Sequence, residues 1–168
     1  MIKIVDNFLD PGVLQDIRNH LLSTNFPWYW NPSVADPDET KHTLKDPLNN
    51  FQFTHIFYRN GEPQSEDYGI VKYITEKLDM IALISAKGNL LPRLNNIEEH
   101  GYHVDHEFPC NTSILYFNTC NGYTKFEESG EKVYSIENRF VTFSSHLRHT
   151  GSSCTDQKSR LMLNINWI

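Results

Sequence analysis

A chain of 168 residues is long enough to bury one real core, and it reads as a single domain over 1–168. With 39% hydrophobic and 21% charged residues and no long apolar run, it lacks the signature of a membrane helix, and no membrane partner is expected. The formal net charge of −6 argues against general nucleic-acid binding, which needs a basic surface, and is read as solubility.

The opening, Met1-Ile2-Lys3-Ile4-Val5-Asp6, lacks the charged and apolar regions of a signal peptide. Cys110, Cys120 and Cys154 are odd in number and form no CxxC pair, so free thiols in a reducing cytoplasm are expected. A short strand and turn are predicted over 5–9. Asp10-Pro11 then starts a helix, because Asp can cap the free amides and Pro has no amide to lose. Leu14, Ile17, Leu21 and Leu22 continue it at helical spacing to about residue 23. Phe26, Trp28, Tyr29 and Trp30 form an aromatic cluster expected to cover one end of the core. Residues 31–50, rich in Pro, Asp, Asn and Thr, read as a long surface loop, of the kind that forms binding lids.

A strand is predicted over 51–58, a turn over 61–67 and a second helix over 67–83, with Ile70, Tyr73, Ile74, Leu78 and Ile81 as its inner stripe. From residue 84 the pattern changes to short strands, at 84–91, 101–107, 113–118, 124–127, 132–136, 140–143, 147–152 and 160–167. Two helices followed by strands predict a mainly β, α+β architecture, with the helices packed on a barrel or jelly roll. Residues 1–83 would supply helical support and edge strands, and 84–168 the jelly-roll core that carries the site.

The chemistry is concentrated in His103-Val104-Asp105, His149 and Arg160. In an extended strand, residues two apart share a face, so His103 and Asp105 can project into one pocket. His149 from another strand completes a two-histidine, one-carboxylate set, which leaves open positions on a non-heme Fe(II) ion. Arg160 can then hold a carboxylate by a two-pronged hydrogen bond, and metal plus carboxylate anchor point to 2-oxoglutarate as co-substrate. The alternatives are bland: HxD in a solvated loop, and Arg160 in a surface ion pair. Lys158 shares the parity of Arg160 and is its rival as anchor. His100, His106 and His146 have the wrong parity or place to join the triad, and Arg148 should face outward.

The same region carries a family resemblance. The run 89–93 with Glu99-His100-Gly101-Tyr102-His103-Val104-Asp105 looks like the entry to the active site of prolyl 4-hydroxylase-like oxygenases. Ser113-Ile114-Leu115-Tyr116-Phe117-Asn118 resembles that family's "YLN" strand. Asn121-Gly122-Tyr123-Thr124-Lys125-Phe126 resembles its GGxTxF turn, with Asn in place of the first Gly. Asn138-Arg139-Phe140-Val141-Thr142-Phe143 before His149-Thr150-Gly151, and Ser159-Arg160-Leu161-Met162-Leu163, resemble the strands bearing the last iron ligand and the co-substrate anchor. The opening 4–10 also resembles the family's start. The chain is particularly similar to short, stand-alone members of the sort phages encode.

The resemblance implies a double-stranded β-helix of the cupin-like jelly-roll type. It implies that His103, Asp105 and His149 bind Fe(II), and that Arg160 and Tyr116 hold the distal carboxylate of 2-oxoglutarate. Asn89 would line the co-substrate pocket, Thr124 would position its strand, and Thr150 with the backbone at Gly151 would orient His149. A core tyrosine with a satisfied hydroxyl is the plain alternative for Tyr116. The implied enzyme is a dioxygenase that uses O2 and 2-oxoglutarate, with ascorbate as a candidate reductant. It would hydroxylate a C–H bond and release succinate and CO2. The substrate is an unknown peptide or small molecule, a peptidyl proline being the first candidate, and nothing in the sequence specifies an oligomer. Nucleobase demethylases share the triad but place a second Arg six residues after the first; that position is Asn166. A small-molecule oxygenase and a non-catalytic cupin-like binding module remain as alternatives.

Overall fold

Asp10 starts the first helix as its chemistry predicts: its carboxylate accepts the amides of Gly12 (2.8 Å) and Val13 (3.4 Å), and Pro11 occupies the first turn. The structure is a computed structural model that describes residues 1–35, 44 and 46–168. Its elements, in chain order, are β1 (Lys3–Val5), α1 (Pro11–Leu21), β2 (Tyr29–Asn31), β3 (Gln52–Arg59), β4 (Glu62–Pro63), α2 (Tyr68–Thr75) and β5 (Leu83–Pro92). Then follow β6 (Asn111–Tyr116), β7 (Tyr123–Phe126), β8 (Lys132–Tyr134), β9 (Phe140–Ser144), β10 (His149–Gly151) and β11 (Ser159–Trp167). Among the described residues the chain is mostly β with two α-helices, as the pattern predicts. An eight-stranded antiparallel sheet runs β1-β9-β6-β11-β5-β3-β2, with β4 paired to β3, and a three-stranded antiparallel sheet runs β10-β7-β8.

Strand alternation separates support from chemistry. On β11, Leu161, Leu163 and Ile165 pack with Leu14, Ile17 and Leu21 of α1 and Val71 and Ile74 of α2. Leu115 of β6 and Ala86 of β5 join that cluster. The intervening residues point the other way, where Leu91, Ile114, Tyr116 and Met162 meet Phe126 and Val133 of the small sheet. The register places Met162 between Tyr116 and Asn89, Asn164 between Ile114 and Lys87, and Asn166 between Thr112 and Ser85. One face of the large sheet is therefore core for the helices, and the other is the floor of a cleft beneath the small sheet.

Two expectations are corrected. The second helix ends at Thr75 rather than 83: Val71, Ile74 and Thr75 are its buried residues, whereas Tyr73 and Ile81 are exposed. The amides of Ile81 and Ala82 donate to the Ile168 carbonyl, so pairing with the end of the large sheet draws this segment out of the helix. The strand predicted over 101–107 is also absent; only His103 there is bridged, to His149. Within the 31–50 region, Asn50 ties the ends together, accepting from the Val34 amide and donating to Ser33 and Ala35. The lid expected there falls largely on residues 36–43 and 45, which lie outside the described residues.

Candidate metal centre

Because 101–107 is not a regular strand, alternation alone does not bring His103 and Asp105 together. Residues 99–103 run antiparallel to β10, with bridges at Glu99–Ser152 and His103–His149. His103 and His149 exchange two backbone hydrogen bonds of 3.0 Å, and the Thr150 hydroxyl donates to the His100 carbonyl. This pairing sets the two imidazoles side by side, with ring centroids 4.8 Å apart. Thr150 thus secures the segment that carries His103, while His149 itself is oriented by Leu147.

Each imidazole is turned by the same device. His103 Nδ1 sits 3.0 Å from the Gly101 carbonyl and His149 Nδ1 2.9 Å from the Leu147 carbonyl. A carbonyl only accepts, so each Nδ1 carries the proton and each Nε2 presents a lone pair. These Nε2 atoms lie 3.8 and 3.9 Å from Asp105 Oδ1. The other carboxylate oxygen, Oδ2, accepts from the Thr112 hydroxyl (2.6 Å) and the Asn166 amide (3.1 Å). Asn166 is fixed in turn, because its Oδ1 accepts from Ser85. The ligand atoms all lie within 4.8 Å of one another, an arrangement able to hold a metal ion.

Electrostatics favour the ligating forms. Burial would raise the Asp105 carboxyl, but the neighbouring His149 and the hydrogen bonds from Thr112 and Asn166 outweigh it and hold it below its ordinary value. Burial pushes the His149 imidazole down, against the pull of Asp105, which keeps it neutral and available as a ligand. His100 is the odd imidazole: it is 1% exposed, neither ring nitrogen has a partner among the described residues, and burial with Arg160 nearby pushes it down to about 4. His106 packs at a tilt against Phe108, and His146 is exposed and contacts the Glu107 carbonyl.

Next to the triad is a narrow cavity of about 60 Å³, whose lining includes His103, His149, Asn89, Thr124, Gly151 and Arg160. Arg160 is completely buried. Its Nη1 donates to the Ser152 carbonyl and its Nη2 to the Thr124 hydroxyl, both at 3.1 Å. Both partners are neutral, Nε has none among the described residues, and no carboxylate there pairs with the guanidinium. A surface ion pair is thereby set aside for Arg160. Lys158 is exposed, which removes it as rival anchor, and Arg148 is exposed on Glu127, as expected. Gly122 is required here: a Cβ would sit 2.8 Å from both Arg160 Cδ and the Ser153 carbonyl.

Tyr116 is fully buried, and its hydroxyl shares a 2.9 Å hydrogen bond with Thr124 Oγ1. Thr124 lines the cavity and stands between Tyr116 and Arg160. Asn89 is buried at the cavity wall, with its amide on the Lys87 carbonyl. Sequence reasoning missed Thr112, Asn166, Lys87 and Asn164. The parity of Arg160, Met162, Asn164 and Asn166 on one strand was the signal for the two asparagines.

No protein-family model matches the sequence, and no curated protein matches it. Solved structures do. A prolyl hydroxylase from Trichoplax adhaerens, in complex with a hypoxia inducible factor peptide fragment, superposes with a TM-score of 0.67 at 14% identity, over 99% of this chain and 83% of that one. The viral collagen prolyl hydroxylase of Paramecium Bursaria Chlorella virus-1, in its 2-oxoglutarate complex, gives 0.61 at 11%, over 99% and 96%. A Pseudomonas putida prolyl-4-hydroxylase gives 0.62 at 13%, over 99% and 91%. The chain shares its fold with these prolyl hydroxylases. At these identities the likeness is one of fold, and the chemistry must be argued from the side chains above.

Proposed function

We propose that the chain is an Fe(II)/2-oxoglutarate-dependent dioxygenase. In this reading it is one jelly-roll domain of the double-stranded β-helix type, supported by 1–83 and carrying its site on 84–168. His103, Asp105 and His149 hold the iron. The observation that carries the co-substrate is Arg160, a buried guanidinium without a counter-anion among the described residues, opening on the same cavity as His103 and His149. Desolvating an unpaired cation costs several kcal/mol, so such a residue is retained where a ligand carboxylate supplies the missing charge.

In this assignment Arg160 and Thr124 bind the distal carboxylate, Tyr116 fixes the Thr124 hydroxyl, and Asn89 forms a wall of the pocket. Gly122 gives the Arg160 side chain the room it needs. Bound iron with 2-oxoglutarate and O2 supplies the oxidative decarboxylation to succinate and CO2 that inserts oxygen into an unactivated C–H bond. The protein's share is to aim three ligands, neutralise the co-substrate and exclude water. A peptidyl proline is the first candidate target, because prolyl hydroxylases recur among the similar folds and one of them is held with a peptide.

The test is to mix purified apo-protein anaerobically with Fe(II) and 2-oxoglutarate, then admit O2 with ascorbate. A visible charge-transfer band from the chelated co-substrate is expected first, then slow succinate formation that accelerates with substrate. A single added oxygen on a proline-containing peptide, with succinate in equal amount, is the expected product. Metal binding with neither band nor succinate would overturn the reading in favour of a non-catalytic binding module.

A further inference from the structure

Beside the narrow co-substrate cavity lies a larger one, of about 570 Å³, within the range of small-ligand sites. It reaches the metal centre through Asp105. It also shares Lys87 and Asn164 with the inner cavity, and these two residues are directly opposed in the β5–β11 register. They form the neck between the two spaces.

The charge of this outer cavity runs against that of the chain. The molecule carries a net −6, yet the lining holds Arg59 and Lys87 against one carboxylate, Asp105, which the metal would claim. Neither the Arg59 guanidinium nor the Lys87 amine makes a hydrogen bond or an ion pair among the described residues. Lys87 is half-buried; burial pushes its amine down while Asp105 pulls it back up. At the neck, Asn164 Oδ1 is buried and has no partner among the described residues. Arg59 stands at the rim on a rigid hairpin: it pairs with Glu62 across Asn60 (φ 56°) and Gly61 (φ 83°), the two left-handed residues of a tight turn.

We propose that this outer cavity is the substrate site and takes an acidic peptide segment, one carboxylate of which pairs with Lys87 and Arg59. The proposal rests on the oxygenase reading of the adjoining centre. The asparagine amides at 60 and 164 suit the alternating donors and acceptors of a peptide backbone. A phosphate is ordinarily cradled by backbone amides at a helix start or a nest, whereas these cations stand on strands. A polyanion would also meet the repulsion of the whole acidic surface, while a short acidic segment meets chiefly the cavity.

The experiment uses fluorescein-labelled peptide pools of equal length, flanking a central proline with Asp/Glu, Gln or Lys. Binding to the iron-free protein is read by fluorescence anisotropy, with a single-stranded oligonucleotide as a further probe. The acidic pool should bind about tenfold or more tighter than the Lys pool, the weight of one charge-assisted hydrogen bond. Lys87→Met and Arg59→Gln should each shrink that preference, and Lys87→Arg should keep it. Equal binding of all pools, a preference that survives both substitutions, or tighter binding of the oligonucleotide would each overturn the proposal. Succinate formation by the wild-type protein is measured in parallel. A preference for acidic peptides without succinate would sink the oxygenase reading alone, and succinate with no such preference would sink the substrate class alone.

Discussion

Among the described residues, two groups of side chains could ligate a metal, and they differ in what their lone pairs are doing. In the first, His103, Asp105 and His149 each have one polar atom tied to the protein and one left free, and the free atoms converge. In the second, Cys120, Cys154 and Asp156 are equally close together. There the donors are already used. The Cys154 thiol donates to the Gln157 carbonyl, and both Asp156 oxygens accept the Asn121 amide, at 3.0 and 3.1 Å. The neighbouring Cys154 thiol, against the effect of burial, holds the Cys120 thiol below its ordinary value, while Cys154 is driven up. The second group is a latch between the β6–β7 and β10–β11 turns. Proximity of ligands does not make a metal site; unpartnered lone pairs aimed at one point do.

The largest expected effect separates the groups directly. His103→Ala, Asp105→Ala and His149→Ala should each abolish tight iron binding while circular dichroism stays native, and Cys120→Ser and Cys154→Ser should keep one iron per chain by metal analysis. Loss of iron in the cysteine variants would collapse the distinction. Arg160 borders both groups, since its charge also acts on Cys120. Removing a buried charge-assisted partner costs about 2–5 kcal/mol, so Arg160→Ala should raise the 2-oxoglutarate concentration for half-maximal turnover roughly thirtyfold or more, with iron content unchanged. An unaltered 2-oxoglutarate dependence would assign the residue to the latch.

His100, buried beside the triad without a partner, tests the same idea by pH. Its folded value of about 4 lies below the ordinary 6.5, so between those values the unfolded chain binds the extra proton. Stability should therefore be complete above about pH 6.5 and fall by roughly 3 kcal/mol as pH drops toward 4. Denaturant titrations should show this slope in wild type and a flatter one in His100→Leu, with iron affinity little changed in that variant at neutral pH. A smaller effect is expected at the support: Thr112→Val removes the 2.6 Å hydrogen bond on Asp105 and should weaken iron by about 10–100-fold without abolishing it. His106→Ala and His146→Ala should leave iron affinity nearly intact, as neither imidazole faces the free lone pairs. If His146→Ala removes the metal and His149→Ala does not, the ligand set is wrong.

What the sequence by itself determined is local. The Asp10-Pro11 cap, the strands around 84–91 and 160–167, and the burial alternation along β11 all follow from short-range sterics and periodicity, which need no partner to be read. The identity of the candidate ligands was legible too, because few residue types bind iron and their spacing limits the choices. The tertiary structure decided what depends on distant segments. The second helix stops early because Ile168, at the other end of the chain, takes the amides of Ile81 and Ala82. His103 and Asp105 meet without the strand predicted for them, because β10 pairs with the first and Thr112 and Asn166 hold the second. Lys87 and Arg59 become neighbours of one cavity only when β3 and β5 pair. Periodicity can say which way a side chain points, but the residue it will face is fixed by pairing across a hundred positions, and that is a property of the fold.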